Sequence, residues 1–241
     1  MSLTKVKKII YAAIIISSFI FSCSLAVGQE RDPGADKPIL HPREALAQTT
    51  DGPPENPPTD PSDEPPPTFF GEELESLDGT LIYVIDVSCS MDTMMEGKTR
   101  LERAQAELSR SISNLPRSIQ FNVVSFSCAT YIAWRQPALA PADSTYKAIA
   151  LSFVNKQFSH GGTGTNSGCM QALSSGASTV VLLTDGEPSC GDTPDRHRQM
   201  IRWANTQGAA IHVFGIGASG KFEAWCRAVA DENSGVYVSV R

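Results

Sequence analysis

A chain of 241 residues, 41% hydrophobic and only 7% aromatic, has room for one domain of ordinary size with extensions, built on an aliphatic core. Its formal net charge of −6, with no basic stripe beyond the first ten residues, excludes nucleic acid as an expected partner. None of the six cysteines stands in a C-x-x-C spacing, so a zinc site is excluded too.

Lys5, Lys7 and Lys8 precede an apolar stretch from Ile9 to about Val27. A basic start followed by an apolar run is the pattern of an export signal, set aside from fold reasoning. Residues 1–28 are thus expected to be a signal peptide or an N-terminal membrane anchor. Three fates are open. The segment is cleaved after Ala26-Val27-Gly28, or lipidated at Cys23, since Ile20-Phe21-Ser22-Cys23 resembles a bacterial lipoprotein signal. Otherwise it stays as a membrane span of roughly 20 residues. Each fate makes the remainder extracytoplasmic, secreted or anchored to the membrane or cell envelope. Residues 29–68 carry eleven of the sixteen prolines among acidic residues. That composition predicts a disordered, polyproline-like linker. Phe69-Phe70-Gly71 then opens the domain, residues 69–241.

Leu81 to Ile85 is an apolar run that leads into Asp86, and it predicts a strand over 81–86 buried on both faces. The carboxyl end of such a strand is where open α/β sheets place their ligands. A helix is predicted over roughly 98–114, with Leu101, Ala104, Leu108, Ile112 and Leu115 on its buried stripe. Its arginines and glutamates read as a solvated face, and Pro116 ends it. Residues 119–126 form the next strand. Thr130 to Trp134 turns back through Ser127-Cys128-Ala129 as an antiparallel edge strand. Asp143 to Thr145 caps a helix over about 144–158, whose stripe is Tyr146, Ile149, Phe153 and Phe158. A short helix over 166–175 leads to a strand over 179–184, a helix over 194–206 and a strand over 209–216. A last helix is marked by Phe222, Cys226 and Val229, and a last strand covers 236–240. The alternation predicts an α/β fold. It is a Rossmann-like open, mainly parallel six-stranded sheet with one antiparallel edge strand and helices on both faces.

Asp86-Val87-Ser88-Cys89-Ser90 offers a carboxylate and two hydroxyls from a single tight loop. Hard oxygen donors of this kind suit Mg²⁺ or Mn²⁺. Two further stretches supply the same chemistry in order: Thr163 within Gly161-Gly162-Thr163-Gly164-Thr165, and Asp185 after the strand Val180 to Thr184. Together they resemble the metal-ion-dependent adhesion site of von Willebrand factor type A domains, over about residues 78–241. The resemblance implies that Ser88, Ser90 and Thr163 bind Mg²⁺ or Mn²⁺ through hydroxyl oxygens, with Asp86 and Asp185 acting directly or through water. It further implies a partner protein whose Asp or Glu completes the octahedron, and hence a non-enzymatic binding or adhesion module. Two other readings use the same residues. One is a structural surface protein whose metal only stabilises the fold. The other is a metal-dependent hydrolase, which needs a base or nucleophile beside the ion.

Other motifs are read more plainly. Gly215 to Gly220 matches G-x-G-x-x-G, yet no acid follows to meet a ribose, so it reads as a tight turn into a helix. His160 adjoins the Gly-rich loop, His197 falls on a polar helix and His212 in a buried strand. Cys89, Cys128 and Cys190 fall on loops at the metal-bearing edge, where a bridge between two of them would stiffen the site; their connectivity is open. In integrin-type members a long helix follows the last strand, whereas here Arg241 follows it directly. Phe69 and Phe70 are therefore expected to pack on the sheet face that such a helix would cover. Glu187 and Pro188-Ser189 are expected to shape specificity.

Overall fold

A computed structural model describes residues 68–73, 79–186 and 188–241. The expected export segment, nearly all of the expected linker, and Glu187 lie outside the described residues. In chain order the elements are β1 (Thr68–Phe69), β2 (Glu72–Glu73), β3 (Thr80–Asp86), β4 (Met94–Met95), β5 (Lys98–Thr99) and α1 (Arg100–Asn114). They continue with β6 (Gln120–Phe126), β7 (Thr130–Ile132), β8 (Ala140–Pro141), α2 (Ser144–Asn155), α3 (Thr165–Leu173) and β9 (Thr179–Thr184). The last are α4 (Pro194–Ala204), β10 (Ala210–Ile216), α5 (Lys221–Glu232) and β11 (Tyr237–Val240). No helix among the described residues is long and apolar enough to cross a membrane.

The main sheet runs β11-β10-β9-β3-β6-β7, with β8 also paired to β6. β11, β10, β9, β3 and β6 are mutually parallel, as right-handed crossovers through helices require. The expected antiparallel edge is present as β7 on the end of β6. The seventh strand, β8, was not expected. β7 reaches only from Val124 to Phe126, which leaves Gln120 and Phe121 open, and Ala140–Pro141 fills that gap. Pro141 is tolerated there because an edge position need not donate to the ladder.

Alternation along the strands divides the core. Leu81, Tyr83 and Ile85 face Leu101, Leu108 and Ile112 of α1 with Ala150 and Val154 of α2. Ile82 and Val84 face the other way, toward Cys169 of α3, Ile201 of α4 and Trp225 and Val229 of α5. Half of the expected stripe of α2 is present, with Tyr146 and Phe153 packed partly buried against this core, and the other half needs correction. Its buried residues are Ala150 and Val154, while Ile149 is 40% and Phe158 69% exposed. The cause lies in α1: Gln105 donates to the carbonyls of Val154 and Gln157, both at 2.9 Å, and so closes the end of α2 before Phe158. Small Ala150 then takes the inward position, where α2 can approach closely.

Phe69 is fully buried on the α1 side, its ring 4.7 Å from that of Phe214 and 5.8 Å from that of Tyr83. Phe70 lies half-buried beside it in an edge-to-face contact, with its backbone N–H donating to the Glu107 carboxylate and its φ at 48°. The aromatic pair thus ties the start of the domain to the centre of the sheet. Phe69→Ser is expected to lower stability by roughly 1.5–3 kcal/mol, the worth of one buried ring. For a domain of this size that is several degrees in melting temperature, read by a thermal melt. An unchanged melt would show that the ring contributes nothing.

Candidate functional site

β3 and β9 are parallel neighbours, so their carboxyl ends reach one edge of the sheet. β3 ends in Asp86, fully buried. Its two oxygens are held separately: Oδ1 accepts from the Ser88 backbone N–H at 2.8 Å, and Oδ2 from the Thr184 hydroxyl at 2.6 Å. The chain then makes a 3₁₀ turn over Cys89–Asp92. This brings the hydroxyls of Ser88 and Ser90 within 3.1 Å of each other. Ser90 Oγ donates to Asp185 Oδ1 at 3.0 Å. Asp86, Ser88, Ser90 and Asp185 therefore form one continuous oxygen cluster.

Thr163 reaches the same place from the Gly-rich loop. With Ser90 and Asp185 it lines a cavity of about 420 Å³, which Arg100, Pro188 and Lys221 also border. Its backbone is fixed on both sides: N–H to Ser189 Oγ at 3.0 Å, and the carbonyl accepting from Ser189 and Cys190 at 2.9 and 3.1 Å. Gly164 N–H donates to the Ser127 carbonyl at 2.8 Å. The two flanking loops are joined by the Cys128–Cys190 disulfide. A Cβ on Gly162 would lie 2.7 Å from Cys190 Sγ, so glycine is what lets the loop pass under the bridge. Cys89 faces the same edge and remains a thiol, as do the buried Cys169 and Cys226.

The electrostatics are those of two carboxylates in a confined place. Burial, and next the charge of Asp185, push the Asp86 carboxyl up to about 7, against the hydrogen bonds from Thr184 and Ser88. Asp185 is relieved by Arg100, whose Nη1 lies 2.6 Å from Oδ2. The same nitrogen reaches the Ser90 carbonyl at 3.4 Å, and Nη2 reaches the Gly217 carbonyl at 3.1 Å. Sequence reasoning had put Arg100 on a solvated face. The signal that could have placed it is Thr99-x-x-Glu102, a capping box that fixes the start of α1. Arg100 is then the first helical residue, at the edge of the sheet.

The remaining motifs resolve locally. Gly217 has φ +65°, and a Cβ there would lie 2.7 Å from Arg100 Nε. A Cβ on Gly215 would meet the Tyr237 hydroxyl at 2.5 Å. The G-x-G-x-x-G turn thus makes room for two side chains. His197, expected on a polar helix, is fully buried: Nε2 donates to the Cys190 carbonyl at 2.9 Å, and Nδ1 accepts from Asn166 N–H at 3.3 Å. Burial lowers its pKa. His212 Nδ1 accepts from Val236 N–H at 3.3 Å, and His160 Nδ1 bonds the Phe158 carbonyl at 2.9 Å. Each described histidine is engaged by backbone groups, and none meets a serine or cysteine nucleophile. Among the described residues, no three His, Cys, Asp or Glu side chains gather as a metal site. The cluster here joins two carboxylates to hydroxyls instead.

A doubly wound parallel sheet with an oxygen cluster at its carboxyl edge defines a class of α/β domains that bind ligands there. The family model described as von Willebrand factor type A domain matches residues 79–239, and the chain belongs to that family. Inter-alpha-trypsin inhibitor heavy chain 4 of Mus musculus is 28% identical over 163 residues, 62% of this chain and 17% of that protein. The chain spans less than a fifth of the heavy chains it matches. Among solved structures, von Willebrand factor type A from Catenulispora acidiphila superposes with a TM-score of 0.55 at 22% identity. It covers 69% of this chain and 39% of that one. The conserved hypothetical protein BatB of Bacteroides thetaiotaomicron gives 0.54 at 20% identity, over 67% and 89%.

Proposed function

We propose that the domain is a non-enzymatic binding module that takes Mg²⁺ or Mn²⁺ at this edge and captures an Asp or Glu carboxylate of a protein partner. The observation that carries the reading is the convergence of five oxygen donors on one sheet edge: Ser90, Thr163 and Asp185 line the cavity, and the buried Asp86 and Ser88 adjoin them through hydrogen bonds. The donor set fits a hard divalent ion: every donor is oxygen, and only two are carboxylates. Ser88, Ser90 and Thr163 would hold the ion through their hydroxyls, with Asp86 and Asp185 supplying charge. Bound there, the ion supplies a Lewis-acidic position open to an anionic oxygen. Asp86 is oriented in advance by Ser88 and Thr184, which limits the reorganisation that binding costs. Binding rather than turnover is favoured because no described histidine is hydrogen-bonded to a serine or cysteine side chain, each having at least one ring nitrogen on a backbone group. An extracytoplasmic location is supported by the basic-then-apolar start and by the Cys128–Cys190 disulfide, which suits an oxidising compartment. The start also allows anchoring to a membrane.

The reading is tested with the full chain and a pair of short peptides, one with a central Asp and the other with Asn in its place. The Asp peptide is expected to bind in Mn²⁺, to be released by chelator, and to exceed the Asn peptide. Metal binding without any peptide preference would instead favour an ion that only stabilises the fold.

A further inference from the structure

Arg100 is unaccounted for by the five oxygen donors. Its position is built by several elements at once. The capping box of Thr99 and Glu102 fixes the start of α1, with Glu102 N–H donating to Thr99 Oγ1 at 3.0 Å and Thr99 N–H to Glu102 at 2.7 Å. Gly217 lacks the side chain that would displace the guanidinium, and its carbonyl accepts from Nη2. Met95, from the hairpin before α1, also borders Gly217. The result is a planar cation only 20% exposed, lying on a carboxylate 6% exposed.

Both oxygens of Asp185 are thereby engaged, Oδ1 by the Ser90 hydroxyl and Oδ2 by the guanidinium. A divalent ion drawing on Asp185 would have to share it with a fixed positive charge. In a half-enclosed site that repulsion is only weakly screened. The guanidinium cannot lose its proton to relieve it.

We propose that Arg100 is a resident counter-ion that competes with the divalent ion for Asp185 and so sets the metal affinity of the site. This rests on the metal reading above. Without metal, the ion pair closes the gap between the end of β9 and the start of α1. Metal binds only by loosening that pair, so affinity is lower than the oxygen set alone would give. The residue acts through Asp185, as a positioning and affinity-setting residue.

The test is a calorimetric titration of the full chain with Mn²⁺, for wild type, Arg100→Met and Arg100→Lys, beside thermal melts in chelator. Arg100→Met is expected to bind Mn²⁺ about tenfold tighter or more, and Arg100→Lys, which keeps the charge but not the planar fork, to gain less than Arg100→Met. In chelator Arg100→Met should melt lower than wild type, with Mn²⁺ recovering the loss. A tighter affinity without the positive charge is an outcome that a merely structural salt bridge would not produce. Equal or weaker binding by folded Arg100→Met overturns the competition and leaves the metal reading standing. No saturable binding by either wild type or Arg100→Met removes both. Should Arg100→Met fail to fold, Arg100→Gln, which keeps a polar side chain without the charge, carries the same comparison.

Discussion

Asp86→Asn is expected to abolish saturable Mn²⁺ binding, weakening it by about a hundredfold or more, while the chelated protein melts no lower than wild type. The two effects have one cause. Asp86 is fully buried at the end of β3 and shares its surroundings with Asp185. Charging it without a cation costs desolvation and repulsion, so the carboxylate is carried at the expense of stability for what it can bind. The amide keeps the shape and can still accept from Ser88 N–H; the Thr184 hydroxyl, which donates to Asp86, has the Gly186 carbonyl as an alternative acceptor. The pH dependence follows the same sign. With a folded value near 7 against the ordinary 3.8, the folded state holds a proton that the unfolded chain has released. Its stabilising share is full below about pH 4 and is lost as the pH rises through 7. Chelated wild type should therefore lose stability over that interval relative to Asp86→Asn. Thermal melts of both proteins at pH 5 and pH 8 in chelator measure this. A mutant that melts several degrees lower at every pH would mean that the carboxylate serves the fold, and the metal reading would lose its main support.

What could be read from sequence follows from how local each signal is. The strand ending at Asp86 is a single apolar run, and its end is sharp because the first charge is the last strand residue. The strand over 179–184 falls where the run of β-branched and leucine residues predicts. Thr163 and Asp185 were singled out by the resemblance, and what the sequence itself shows of them is local: one stands in a glycine-rich loop and the other directly after a strand. The capping box could put Arg100 at the first turn of α1, but not name its partners, since Asp185 and Gly217 lie 85 and 117 positions away. Helical periodicity reports which face of α1 is apolar and says nothing of what the polar face meets at its first turn. In the α2 stripe Tyr146 and Phe153 pack on the core as expected, and the other two positions went wrong for a related reason. Ile149 and Phe158 are more hydrophobic than Ala150, but Gln105 stops the helix early and close packing against α1 favours the small residue. His197 is buried by its contact with the Cys190 carbonyl, a partner brought near by the disulfide loop. Disulfide pairing itself is a tertiary fact: three cysteines lie on loops at this edge, and only the fold chooses two.

That choice leads to the second large effect. Replacing Cys128 and Cys190 together by Ser is expected to lower stability by about 4 kcal/mol, since the bridge closes a loop of 62 residues. In a domain of this size that is roughly 10 °C in melting temperature. The same double variant should bind Mn²⁺ several-fold more weakly, although neither cysteine belongs to the oxygen cluster. Thr163 has its N–H and carbonyl bonded to the loop that carries Cys190, and the following Gly164 is bonded to the loop that carries Cys128. The bridge holds those two loops at one separation, and Gly162 passes close beneath both sulfurs. Without it, Thr163 must pay the ordering cost that the disulfide now prevents. Substitution is preferable to reduction as the probe, because Cys89 at the same edge could otherwise re-pair. A fall in melting temperature with unchanged Mn²⁺ affinity would confine the bridge to global stability. A loss of affinity, with excess Mg²⁺ or Mn²⁺ restoring occupancy and part of the lost melting temperature, would establish that the disulfide presets the Thr163 loop for its ligand.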